Sequence, residues 1–230
     1  MNRTILLVGL ILVSSVSRAY VLIDDFTVGE HESTVEWPED MDEYLADGLD
    51  RNHVVWGDRF TRFQIASNPL HVPVTLSIGG GQMRVSAPAG MADGLSTELR
   101  TEWGLGATQQ VIDFSNETEI WIDLQVKKPD GRFADLWSLR AIDAHGVSGT
   151  NDGWLFRQGG LRYRKSGFTG NLDWSAISYL RLTQRFTSQG TRHPESYTVT
   201  KIYAVPEPAT FLSLGAMALG ACRRRRPRVG

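Results

Sequence analysis

The chain contains a single cysteine, Cys222, so no intrachain disulfide can form and any fold has to be held by its core. With no His or Asn nearby in sequence, that cysteine is also a poor nucleophile. The five histidines, at 31, 53, 71, 145 and 193, never stand four apart and never form an HExxH string, which leaves zinc without support. Gly-x-Ser-x-Gly, a Walker loop and the dinucleotide glycine fingerprint are all missing. Their absence removes the commonest hydrolase and nucleotide-binding signals. No amphipathic helical stretch of 10 to 15 residues alternates with the extended runs, so a βαβ fold is not expected.

What is present fits a folded, turn-rich chain. Hydrophobic residues make up 41% and charged residues 22%, with 23 glycines and nine prolines in 230 residues. That length suits one all-β domain with appendages. The formal net charge of −2 averages unlike parts, because Arg3, Arg18, Arg223, Arg224, Arg225, Arg226 and Arg228 all lie in the two terminal segments. Without them the rest of the chain has 17 basic against 26 acidic residues, which argues against nucleic acid as a partner.

The termini carry targeting signals. Arg3 precedes a nine-residue apolar run over 5–13, and Ser17 and Ala19 stand at −3 and −1 of a cut before Tyr20. This is the order of a cleaved secretory signal peptide, residues 1–19, whose nine-residue apolar centre is too short to span a bilayer. A buried N-terminal helix would instead show polar positions at helical spacing. At the other end, Pro206, Glu207 and Pro208 are followed by fourteen uncharged residues, 209–222, and then by the arginine cluster. As a helix that segment is about 21 Å long, short of the ~30 Å hydrocarbon core. The arginines at its end extend the span and set the C-terminus on the cytoplasmic side.

In this order the triplet Pro206-Glu207-Pro208, the apolar segment and the arginine cluster Arg223, Arg224, Arg225, Arg226 and Arg228 resemble the sorting signal of PEP-CTERM proteins. The resemblance covers residues 205–230. It implies that an exosortase-type processing enzyme recognises Pro206, Glu207 and Pro208. It also implies a transient anchor in the inner membrane, followed by release to the cell surface or the extracellular space.

Between these signals, residues 20–204 read as an all-β exported domain. In the run 119–126, Ile120, Ile122, Leu124 and Val126 share one face, and 179–186 alternates likewise. Further strands are expected at 21–26, 60–66, 72–78, 82–86, 96–103, 109–114, 134–142, 154–157, 161–165 and 197–204. Turns are expected at Gly79-Gly80-Gly81, Pro129-Asp130-Gly131, Asp152-Gly153 and Gly159-Gly160. Strands of this number and length predict a jelly-roll β-sandwich. The opening strand from Leu22, the closing strand to Tyr203 and the approach Leu172 to Ile177 are similar to galactose-binding-like jelly rolls. Residues 30–50, with nine carboxylates and no lysine or arginine, are expected to form an exposed loop or short surface helix.

Seven tryptophans are the remaining signal. Trp121 and Trp137, within strands, are expected in the core, whereas Trp37, Trp56, Trp154 and Trp174 lie near turns or acidic loops. An exposed indole beside amides or carboxylates can stack on a sugar ring, so Trp154 with Asn151 and Asp152, and Trp174, are the candidate glycan-binding residues. No cofactor is required. Calcium is considered at Asp24 and Asp25, near a chain end as in jelly rolls that carry this ion, although no spaced Asp-x-Asp-x-Asp-Gly loop is present. The expected function is that of an exported, non-enzymatic, polysaccharide-binding protein of the cell surface or extracellular matrix. The alternative is a secreted polysaccharide hydrolase or lyase using carboxylates of the sandwich.

Overall fold

Alternation of apolar and polar residues, period two, becomes thirteen antiparallel strands among the described residues. The computed structural model describes residues 20–87, 94–106, 110–127, 135–155, 160–187 and 196–206. One sheet runs β11 (Leu161–Arg164), β8 (Glu117–Lys127), β13 (Ser196–Pro206), β6 (Gln82–Ser86), β5 (Val74–Gly79), β2 (His31–Val35), with β1 (Val21–Asp24) also paired to β13. The other runs β10 (Ser148–Leu155), β9 (Asp135–Asp143), β12 (Ile177–Thr187), β7 (Ser96–Trp103), β4 (Asp58–Ser67), β3 (Met41–Asp47). The expected all-β, two-sheet architecture holds. The first and last strands come from near the two ends of the domain, as expected, and they pair with each other, Leu22 opposite Tyr203.

The core lies between the sheets because each strand turns one parity inward. Ile120, Ile122, Leu124 and Val126 of β8 face Leu99, Leu139, Leu180 and Leu182 of the other layer within one continuous buried cluster. Each such side chain contributes roughly 1.5–3 kcal/mol on burial, enough to hold a disulfide-free domain.

Several expectations are corrected. Residues 30–50 are not a loop or helix: they form β2 and β3, the outermost strands of the two sheets. An edge strand needs only one or two apolar anchors, here Val35 and Ala46, and its charges keep the open edge from pairing with another chain. His31 of β2 stacks on Tyr44 of β3 (4.2 Å, 4°), with Nε2 2.5 Å from Asp42, joining the two edges. No strand forms at 110–114, where Ile112 makes only an isolated bridge to Ile177. The Asp152-Gly153 pair is not a turn but lies inside β10, opposite Ser138 and Trp137. A Cβ on Gly153 would stand 3.2 Å from the Tyr163 ring, so close packing accounts for the glycine.

Pro206 also departs from expectation: it ends β13, paired with Glu117 beyond a register shift, so the strand runs two residues past the boundary at 204. A proline is tolerated there because the last position of a strand can forgo an N–H. The segment 1–19, the residues Glu207 and Pro208 and the cluster from Arg223 to Arg228 lie outside the described residues. Among the described residues no helix is long and apolar enough to cross a membrane.

Candidate functional site

Inward alternation on β8 has an outward counterpart. Because Ile120 and Ile122 point to the core, Trp121 between them faces out, which corrects the expectation that it belongs to the core. On β13, Ile202 and Ala204 point inward and place Tyr203 outward. Register then aligns four residues across four strands: Arg162 opposite Trp121, Trp121 opposite Tyr203, and Tyr203 opposite Leu22.

The row is built of aromatic and cationic contacts. Trp121 and Tyr203 have ring centroids 5.9 Å apart, Tyr203 and Tyr20 5.2 Å, and the Arg162 guanidinium lies 4.0 Å over the indole. Lys201 sits 3.7 Å over the Tyr20 ring, which remains 47% exposed. Two carboxylates flank the rings. Trp121 Nε1 donates to Glu119 Oε2 at 2.8 Å, and the Tyr203 hydroxyl donates to Asp123 Oδ1 at 3.3 Å. Burial, followed by the nearby Asp123 charge, raises the Tyr203 hydroxyl above its usual range and keeps it a neutral donor. Apolar ring faces bordered by carboxylate acceptors and Arg or Lys donors are the chemistry that a sugar's C–H face and hydroxyls require.

The residues expected from sequence fall elsewhere. Trp174 is half-buried against the core, edge-on to Phe168 (5.0 Å, 82°), with Lys165 5.3 Å over its ring. Asn151 and Asp152 take opposite faces of β10: the Asn151 amide donates to Arg164 O at 3.0 Å, while Asp152 is exposed. Trp154 pairs with Leu136 through its backbone, and its side chain lies outside the described residues. Trp37, 46% exposed, packs on His71 at 4.0 Å, and Trp56 is buried.

Asp24 and Asp25 do not converge on a shared cation position. Asp24 is fully buried, with both carboxylate oxygens 3.0 Å from Arg59 Nη1, and it also accepts from Trp103 Nε1 and the Phe26 N–H, each at 2.8 Å. Burial raises its carboxyl above the usual range, opposed by the Arg59 charge. Asp25 instead bonds Thr27 and His53. Among the described residues, no group of three or more His, Cys, Asp or Glu is placed to hold a metal.

No protein-family model matches the chain, and no curated protein matches it. Among solved structures it is similar to the family 11 carbohydrate-binding module of cellulosomal cellulase Lic26A-Cel5E of Clostridium thermocellum, at 11% identity and a TM-score of 0.34 over 82% of this chain and 95% of that one. The solution structure of CtCBM11 aligns at 13% identity and a TM-score of 0.40, over 84% and 98%. An exo-beta-agarase aligns at 11% identity and a TM-score of 0.38 over 84% of this chain but 25% of the enzyme.

Proposed function

We propose that this chain is an exported, non-enzymatic protein whose β-sandwich binds a polysaccharide at the cell surface or in the extracellular matrix. The observation that carries the reading is the row Arg162, Trp121, Tyr203 and Leu22, extended by Tyr20 and bordered by Glu119 and Asp123. A rigid sheet presents these rings, so little side-chain entropy is lost when a sugar stacks on them. Each ring contributes on the order of 1 kcal/mol, which places a single site in the millimolar to high-micromolar range.

The alternative, a hydrolase or lyase, needs two carboxylates facing each other with room for substrate between them. Support for binding over catalysis comes from Asp24, which burial raises but whose oxygens are both taken by Arg59. Delivery is proposed to run through the signal peptide and the PEP-CTERM tail, with an exosortase-type enzyme and the inner membrane as transient partners. That half rests on the sequence of the two ends.

Two measurements test the proposal. The full chain, screened against a broad glycan array, is expected to be retained by at least one polysaccharide without releasing reducing ends or unsaturated products. Retention by none, or turnover of a bound glycan, contradicts it. Intact mass of protein recovered from its native cell is expected to begin at Tyr20 and to lack the arginine cluster, and retention of Met1 or of Arg223–Arg228 contradicts the sorting half.

A further inference from the structure

The outer face of the six-stranded sheet carries five arginines, and they are not treated alike. Arg62 lies 3.6 Å from Glu43, Arg185 lies 2.9 Å from Glu98, and Arg100 is bonded to Glu102. Arg140 of β9 and Arg181 of β12 stand directly opposite each other across the ladder. Among the described residues neither has a carboxylate at ion-pair distance. Both have a buried Nε with no hydrogen-bond acceptor, a feature shared by Arg62, and Arg140 donates from Nη2 only to the Ser148 hydroxyl at 3.2 Å. Glu102, next in that row, is already held by Arg100. Like charges directly opposite on a sheet repel, and guanidinium donors left without acceptors call for an anion between them.

We infer that Arg140 and Arg181 form an oxyanion-binding site for a carboxylate or sulfate group of an acidic polysaccharide. Arginine suits this, because its planar fork engages such groups through paired hydrogen bonds. The surroundings favour a spaced anion on a hydroxyl-rich polymer. Thr183 pairs with Ser138 in the adjacent row and Thr150 pairs with Arg140, providing hydroxyl partners, while Glu98, Glu102 and Asp152 repel a dense polyanion such as a nucleic acid. The site is on the opposite sheet from the aromatic row and stands or falls independently of it.

The test is affinity gel electrophoresis of the full chain in mild detergent, through gels containing polygalacturonate, dextran sulfate, neutral dextran or single-stranded DNA. Retardation is expected in polygalacturonate or dextran sulfate, and the gel that retards identifies the anion, while neutral dextran leaves this site unengaged. Arg140→Gln and Arg181→Gln are each expected to weaken that binding tenfold or more. Arg181→Lys should recover only part of it, and Arg185→Gln, removing an arginine that already has its acid, should stay within twofold. For a neutral polysaccharide that retains the chain, Arg140→Gln and Arg181→Gln should bind as wild type does, which separates this site from the aromatic row. No retardation in either anionic gel, stronger retardation in DNA, or equal losses from all three Arg→Gln variants overturns the inference. So does a melting temperature of Arg181→Gln well below wild type, since an arginine with no carboxylate at ion-pair distance among the described residues should not hold the fold together.

Discussion

Arg59 of β4 and Asp24 of β1 join the two sheets through an ion pair from which water is excluded on both sides. Arg59 Nη1 lies 3.0 Å from each Asp24 oxygen, and its Nη2 donates to the carbonyls of Val28 and Gly29 at 2.6 and 2.7 Å. Trp103 from β7 completes the node. The N-terminal strand, which has only four residues, is thereby fixed to the layer opposite as well as to β13.

Removing one partner of such a pair leaves an uncompensated buried charge. Arg59→Met is therefore expected to cost about 3–5 kcal/mol, read as a lower midpoint in urea unfolding. Replacing Arg59 and Asp24 together by apolar residues should cost less than the single change, because the desolvation penalty disappears with the pair.

Gly104 has φ +85°, and a Cβ there would stand 2.2 Å from the Ser178 carbonyl oxygen, which belongs to the backbone and cannot swing away. Gly80 also has positive φ, +59°, but nothing within 4 Å. Gly80→Ala is expected to cost about 1 kcal/mol from backbone strain alone. For Gly104→Ala the expected cost is on the order of 2 kcal/mol or more, and thermal unfolding of the two variants side by side checks the order.

His53 shares hydrogen bonds with Asp25 (2.8 Å) and Thr27 (2.7 Å). The bond to Asp25 raises the imidazole above its ordinary 6.5, outweighing its partial desolvation. For Asp25, burial pushes the carboxyl up, but the bonds from Thr27 and His53 outweigh it and hold it below 3.8. A base with a raised folded value stabilises fully below 6.5 and loses that contribution as pH rises through the folded value. An acid with a lowered value stabilises above 3.8 and loses it as pH falls. The melting temperature of wild type relative to His53→Gln should thus be most favourable between pH 3.8 and 6.5 and lose that advantage as pH rises through the raised imidazole value or falls through the lowered carboxyl value.

Strands whose buried face is continuous were the readable part of the fold. Gln82–Ser86 and Ser96–Trp103 fall at their expected positions, and the inward set of β8 is visible as Ile120, Ile122, Leu124 and Val126. β2 and β3 were not readable, because an edge strand carries its polarity on both faces and shows only Val35 and Ala46 as apolar anchors. The outward parity of Trp121 could have been read from its neighbours, yet its partner Tyr203 becomes adjacent only through strand pairing. Arg59 and Asp24 are 35 positions apart, and no local pattern marks an arginine in a strand as fully buried. The turn-like surroundings of Trp154 were misleading for a similar reason: Asp152 and Gly153 resemble a turn but stand in mid-strand.

The central claim is that the outward aromatic row is a sugar platform, and the most direct measurement is the affinity of wild type, Trp121→Ala and Tyr203→Ala for a neutral polysaccharide that retains the chain. Loss of one stacking ring should weaken binding about fivefold to tenfold in each variant, with the melting temperature within about 3 °C of wild type because both rings lie outside the core. Unchanged affinity in both variants, with the fold intact, would contradict the account.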